Sequence, residues 1–377
     1  MKQLNHCCTV AIIATFFCFL LSIKNTNAQW SQLGGNNDST FNNTIWSITM
    51  DTKKNIYAAG NFANDSGSLY VAKWNGKEWS ELGGTNTSTF NGSIMTITTD
   101  CRDNVYAGGE FTKGIDQFNG KYYLAKWDGT SWSQLCDNKD SIFNNYIEDI
   151  TTDTSGNVYT GGWFKNAKGN QYIAKWDGTA WSELGGTNTS PFWGGTGFYN
   201  IKIETNGDLY AVGYFSSIYG TYYVEKWDGT KWSELGGTNN TPFKNGILRL
   251  ATDANGNVYA ASPFTLGNKV NCFVTKWNGS SWNELSNGSD TIFNNKILAL
   301  TTDAQGNLFA GGFFTNRNGY YYIAKWNGSS WSELGGNNTS TFNGYISSII
   351  TDSNGNVYAA GKFTNAKGKC YVAEYNQ

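Results

Sequence analysis

An all-β ring of seven four-stranded sheets, a seven-bladed β-propeller, is predicted by three observations. A hairpin signature of the type Lys73-Trp74-Asn75-Gly76-Lys77-Glu78-Trp79 recurs with closing residues Trp132, Trp181, Trp232, Trp282 and Trp331, at intervals of 53, 49, 51, 50 and 49 residues. A second signature, such as Asp153-Thr154-Ser155-Gly156-Asn157-Val158-Tyr159, recurs seven times, led by Asp51, Asp100, Asp153, Glu204, Asp253, Asp303 and Asp352. The third observation is that the two ends complement each other. Gln29 to Leu33 reads as a fourth strand with no third strand before it, and Tyr371 to Tyr375 as a third strand with no fourth after it. Joining them completes a seventh blade, closes the ring and removes the free sheet edge.

Each unit reads as four short antiparallel strands, a to d. In the third unit, strand a is Ile147 to Asp153, strand b Asn157 to Phe164, strand c Gln171 to Trp176 and strand d Trp181 to Leu184. The turn from a to b carries the acid and a Gly-Asn pair. It resembles a calcium loop but lacks alternating acids and a bidentate Glu, so a turn capped by its own side chain is expected. Between c and d, four residues separate two tryptophans, with Gly supplying the turn and the indoles forming a cross-strand pair worth roughly 0.5–1 kcal/mol. The recurring Phe41, Phe90, Phe143, Phe192, Phe243, Phe293 and Phe342 are expected to plug the spaces between blades.

Residues 1–28 read as a secretory signal peptide, with Lys2, an apolar run from Ala11 to Ile23 and small residues at Thr26-Asn27-Ala28, leaving residues 29–377 as the propeller. A secreted, periplasmic or cell-surface destination follows, with no membrane insertion. His6, the only histidine, lies in that leader. Without imidazole, histidine triads and His-bound zinc are excluded, so no catalytic residue, metal or cofactor is assigned. A net charge of −2 with scattered basic residues argues against nucleic acid. A monomer is expected. Cys101, Cys136, Cys272 and Cys370 occupy positions that do not bring any two together, so four free thiols are expected.

Asp-x-x-Gly-Asn-Val-Tyr-Ala followed by Gly-Gly-x-Phe resembles the blade signature of NHL-type and SBBP-type bacterial propellers. The run Ile173-Ala174-Lys175-Trp176-Asp177-Gly178-Thr179-Ala180-Trp181-Ser182-Glu183-Leu184-Gly185 resembles repeats of exported bacterial proteins, and is similar to fungal cortical polarity-marker propellers. The resemblance implies a propeller and carries no catalytic residue.

Comparison of the seven copies separates two faces. The a–b turn and the c–d hairpin keep constant length, whereas extra residues fall in the b–c and d–a connections, around 114–120 in unit two, after Phe264 in unit five and around 193–199 in unit four. These connections share one face, which is therefore the candidate binding surface for a glycan or protein ligand. Trp163, Trp193, Phe198, Tyr199 and Tyr219 are its candidate contacts, because sugar C–H faces stack on rings. The competing expectation is a glycosidase or metal-assisted lyase at the central channel, with Glu110, Glu148, Asp149 and Glu225 as its only carboxylate candidates. Acids that occur once each in variable positions are expected at the solvated surface.

Overall fold

The computed structural model describes residues 29–35, 41–84, 90–112, 121–135, 143–185, 192, 197–216, 220–237, 241–266, 269–288, 293–336, 340 and 342–376. These form seven four-stranded antiparallel sheets arranged in a ring, with no helix among the described residues. Within six sheets the strands follow sequence order from a to d, and in the seventh the N-terminal strand takes the d position. The a strands are Ile45–Met50, Ile94–Thr99, Ile147–Thr152, Phe198–Ile203, Arg249–Thr252, Ile297–Thr302 and Ile346–Thr351. Each touches the a strand of the next blade, so they line the centre of the ring and the d strands form its rim.

Ring closure is as the ends predict. In the seventh blade Trp30–Gln32 pairs antiparallel with Ala373–Tyr375, in the register Trp30↔Tyr375, Ser31↔Glu374 and Gln32↔Ala373. Leu33 N and Phe41 N extend the pairing by donating to Val372 O at 2.9 Å and Cys370 O at 2.8 Å.

The b strands, such as Val158–Gly162, are buried on both faces, which explains their bias to Ala and Gly at the closest approaches. A Cβ at Gly312 would meet the backbone around Ile297. The c and d strands of most blades are only three residues long, shorter than the sequence suggests. Blade five departs from the others. Its b and c strands, Val258–Leu266 and Lys269–Trp277, are nine residues each and make one long ribbon.

Three repeated devices join neighbouring blades. The loop phenylalanines fill the seams as expected: Phe143 packs on Phe164 at 4.4 Å and edge-on to Trp181 at 5.3 Å, between ring centroids. In five blades the indole N–H of the closing tryptophan bonds to the preceding blade, as Trp132 does to Leu82 O at 3.2 Å, Trp181 to Leu135 O at 3.0 Å and Trp331 to Leu285 O at 2.9 Å. Strand-a threonines reach back likewise, as Thr152 does to Thr99 O at 3.0 Å. Two indoles lack this clasp, Trp30 and Trp79, whose buried Nε1 atoms have no partner. They flank the two seams of the N-terminal strand.

In six of the seven a–b turns the acid is a cap, as expected; Glu204 is the exception, with a buried Oε1 that caps nothing. Asp153 Oδ1 accepts from Ser155 N at 2.9 Å and Asn157 N at 2.8 Å, while Oδ2 accepts from Asn157 Nδ2 at 2.6 Å and Tyr159 Oη at 3.1 Å. A group so engaged holds its own turn and one tyrosine, with no ligand required. Cys101, Cys272 and Cys370 are free thiols; Cys136 lies outside the described residues.

Candidate functional site at the channel mouth

In six blades strand a carries a one-residue register shift around its second residue, as between Ile147 and Asp149. Such a bulge re-aims the extra side chain. The bulged residues are Trp46, Met95, Glu148, Tyr199, Leu298 and Ser347, all different. Every one of them lines the central cavity, of about 140 Å³. These positions begin strand a, so they surround the channel mouth on the face of the b–c and d–a connections.

The third residue of strand a closes the ring instead. Ile97 N donates to Ser47 Oγ at 3.2 Å, Leu250 N to Asn200 Oδ1 at 2.7 Å and Ile48 N to Ser348 Oγ at 3.1 Å, each bond crossing a seam. Asp149 serves three blades. Its carboxylate accepts from Thr96 Oγ1 at 3.2 Å, from its own strand's Ile150 N at 3.0 Å, and from Ile201 N at 2.9 Å and the Asn200 amide. Burial raises its pKa, against the pull of Ile201 N–H and the charges of Lys202 and Arg249. The Arg249 guanidinium donates to three main-chain carbonyls, Leu298 O, Leu248 O at 2.7 Å and Tyr199 O at 3.4 Å.

Glu148 is not tied down in this way. Among the described residues no salt bridge joins it to a cation. Burial pushes its carboxyl up to about 7, helped by Asp149 and Glu110; Arg249 and the Trp163 indole act in the opposite direction. An aromatic wall stands around it. Tyr146 and Trp163 lie 5.7 Å apart between ring centroids and nearly parallel at 31°, and Trp163 meets Tyr199 edge-on at 6.3 Å and 64°. Trp163 is seated against Gly197 of the next blade, where a Cβ would lie 2.7 Å from the indole. Across the ring a second wall is built from Trp46, Tyr345 and Phe313, with centroids 6.0 Å and 4.6 Å apart. The charges around the mouth are divided. Glu110 and Glu148 lie on blades two and three, while the exposed Lys296 and Lys362 lie on blades six and seven.

The sequence-based candidates therefore separate. Trp163 and Tyr199 meet at the mouth. Phe198 is fully buried between Phe192, at 4.5 Å, and Phe215, at 5.6 Å, so it is a core residue with no surface to offer a ligand. Trp193 and Tyr219 lie outside the described residues. Of the acids, Glu148 and Asp149 line the channel, and Glu110 is exposed at its rim. Glu225 departs from the expected solvated surface: it is 4% exposed, directly opposite Glu234 across strands c and d of blade four. Burial and the Glu234 charge push its carboxyl up to about 8. It stands where blades one, three and six carry Ala72, Ala174 and Ala324, a position on strand c, outside the a strands that line the channel.

Sequence reasoning missed Trp46, Tyr146, Tyr345 and Arg249. For Trp46 the signal was present as a column: the second residue of strand a, counted back from the acid, is large in several copies yet different in each, whereas Tyr146 and Tyr345 precede the strand and Arg249 falls in the column of Asp149.

Comparisons agree on architecture. No family model matches the chain, and no curated protein matches it. Many solved structures do. They include YCF48 bound to D1 peptide, at 13% identity over 94% of this chain and 98% of that one, with a TM-score of 0.59. The WD40 β-propeller domain of Doa1 matches at 12% identity over 89% and 94%, TM-score 0.56. A PL25 polysaccharide lyase, an ulvan lyase bound to -[GlcA(1-4)Rha3S]-, matches at 12% identity over 91% and 95%, TM-score 0.53. At such identities the likeness is one of fold: the chain is a seven-bladed β-propeller, and the structures it resembles include a peptide-bound and a saccharide-bound protein.

Proposed function

We propose that this propeller is an exported binding module that receives a glycan or protein ligand on its b–c/d–a face, centred on the channel mouth. The observation that carries this reading is the contrast between the two faces. Turns capped by Asp and hairpins closed by paired tryptophans repeat almost unchanged on one face, whereas the bulged residues at the mouth differ among all six blades that carry them. Differences concentrated where side chains point into a cavity suit recognition, because a scaffold gains nothing from them. Export rests on the apolar leader, and the NHL- and SBBP-like blade motifs agree with it.

A second reading, a carboxylate-based enzyme, is favoured by one observation, the Glu148 carboxyl held near 7 in the channel. Two-carboxylate chemistry needs a second free acid in the cavity; Asp149 directs its oxygens to hydrogen bonds that join blades two, three and four, and Glu110 stands exposed at the rim outside the cavity lining. The binding reading is therefore preferred.

Glycan and peptide arrays probed with the protein and with Trp163→Ala test the proposal. The expected result is a ligand whose signal falls at least tenfold in the variant. Turnover of a substrate, abolished by Glu148→Gln, would establish the enzyme instead.

A further inference from the structure

We propose that the wall formed by Tyr146, Trp163 and Tyr199 around Glu148 binds an organic ammonium group carried by the ligand. The inference rests on the loop-face reading above and names the chemistry of its central contact. Two features distinguish this half of the mouth from a general aromatic patch. The rings are fixed rather than adaptable: Trp163 lies against Gly197 and between Tyr146 and Tyr199. A carboxylate also stands among them without a salt bridge to any described cation. Arg249 acts on it through charge alone, since its hydrogen bonds go to the carbonyls of Leu298, Leu248 and Tyr199.

A neutral sugar could use the rings but would leave that carboxylate as it is. A partly desolvated carboxylate offset only by the Trp163 indole and the charge of Arg249, without an ion pair, is unfavourable, and a cationic ligand removes the imbalance. Ring faces add attraction for the same cation, and Glu110 at the rim contributes a second negative charge. A hard metal ion is a poorer occupant. It needs several oxygen ligands, and among the described residues no group of three metal-ligating side chains occurs. An alkylammonium needs only rings, one carboxylate and room, which the adjoining cavity of about 140 Å³ supplies.

Isothermal titration calorimetry with choline, and with 3,3-dimethylbutan-1-ol as its uncharged isostere, tests this directly. Saturable binding of choline is expected, at least about tenfold tighter than the isostere, with a similar loss in Glu148→Gln at unchanged melting temperature. Wild-type affinity should also fall between pH 8 and pH 6, because protonation of Glu148, at about 7, competes with the cation. Of the other groups facing it, Tyr146 and Tyr199 are shifted upward and stay protonated in that range. The Arg249 guanidinium is engaged by three main-chain carbonyls, and Asp149 is held by its seam hydrogen bonds. Equal binding of the two compounds, no binding of either, or an unchanged affinity in Glu148→Gln would overturn the proposal. An array ligand without any ammonium group, lost in Trp163→Ala, would overturn it while leaving the loop-face reading intact.

Discussion

At the scale of single residues, the chain puts carboxyl groups to opposite uses. Asp153 accepts four hydrogen bonds in its turn. Asp153→Ala leaves Asn157 and the Tyr159 hydroxyl without their acceptor, and a loss of about 1–3 kcal/mol is expected in urea denaturation. Glu225 is the reverse case, a carboxyl placed where other blades carry Ala. Its folded pKa, about 8, lies above the ordinary 4.5, so its protonated form is favoured in the folded protein. The linked stability is full below about 4.5 and is lost as pH rises through about 8. Wild-type melting temperature should therefore fall over that window, and Glu225→Ala should flatten the decline. Parallel curves for the two proteins would show that Glu225 is not the cause. The sequence marks Glu225 as irregular, but only the cross-strand register places Glu234 opposite it in a buried wall. Phe198 was legible by counting: it precedes Glu204 by six residues, as Ile147 precedes Asp153, and so belongs to the core column of strand a.

Among elements, the seams decide which blades hold together best. Trp181 donates its indole N–H across a seam at 3.0 Å, whereas Trp79 buries the same atom without a partner. Both pack edge-on to a loop phenylalanine. Replacement by Phe removes similar apolar area in each, so Trp181→Phe should cost about 1 kcal/mol more than Trp79→Phe, the value of one hydrogen bond. Equal losses would mean that the clasp contributes nothing. Because Trp30 lacks the clasp as well, the N-terminal strand is held by its backbone register and ring contacts with Phe342 and Tyr375. Strand order and closure were legible because the repeat and its split ends are periodic features. The bulge was not, although each bulged strand begins opposite a glycine, Gly60, Gly109, Gly162, Gly213, Gly312 or Gly361, where a Cβ would meet the strand-a backbone, and blade five, without the bulge, carries Ser262 there.

For the molecule as a whole, the repeat determines the ring and the departures from it mark the mouth. Blade five's long ribbon, the cavity lined by Trp46, Glu148 and Tyr199, and the division of charge between Glu110 with Glu148 and Lys296 with Lys362 all lie on the b–c/d–a side. The sequence identified that face through its insertions, and Trp163 and Tyr199 within it. The convergence of three aromatic rings on one carboxylate depends on the radial order of the strands, which residue spacing alone does not reveal. Hydrogen–deuterium exchange of the protein with and without an array-identified ligand tests the central claim most directly. Protection is expected in segments 143–149, 161–164 and 197–201 around the mouth, with the capped turns at Asp51, Asp153 and Asp303 unchanged. Protection confined to those turns and the tryptophan hairpins would place binding on the uniform face and contradict the account.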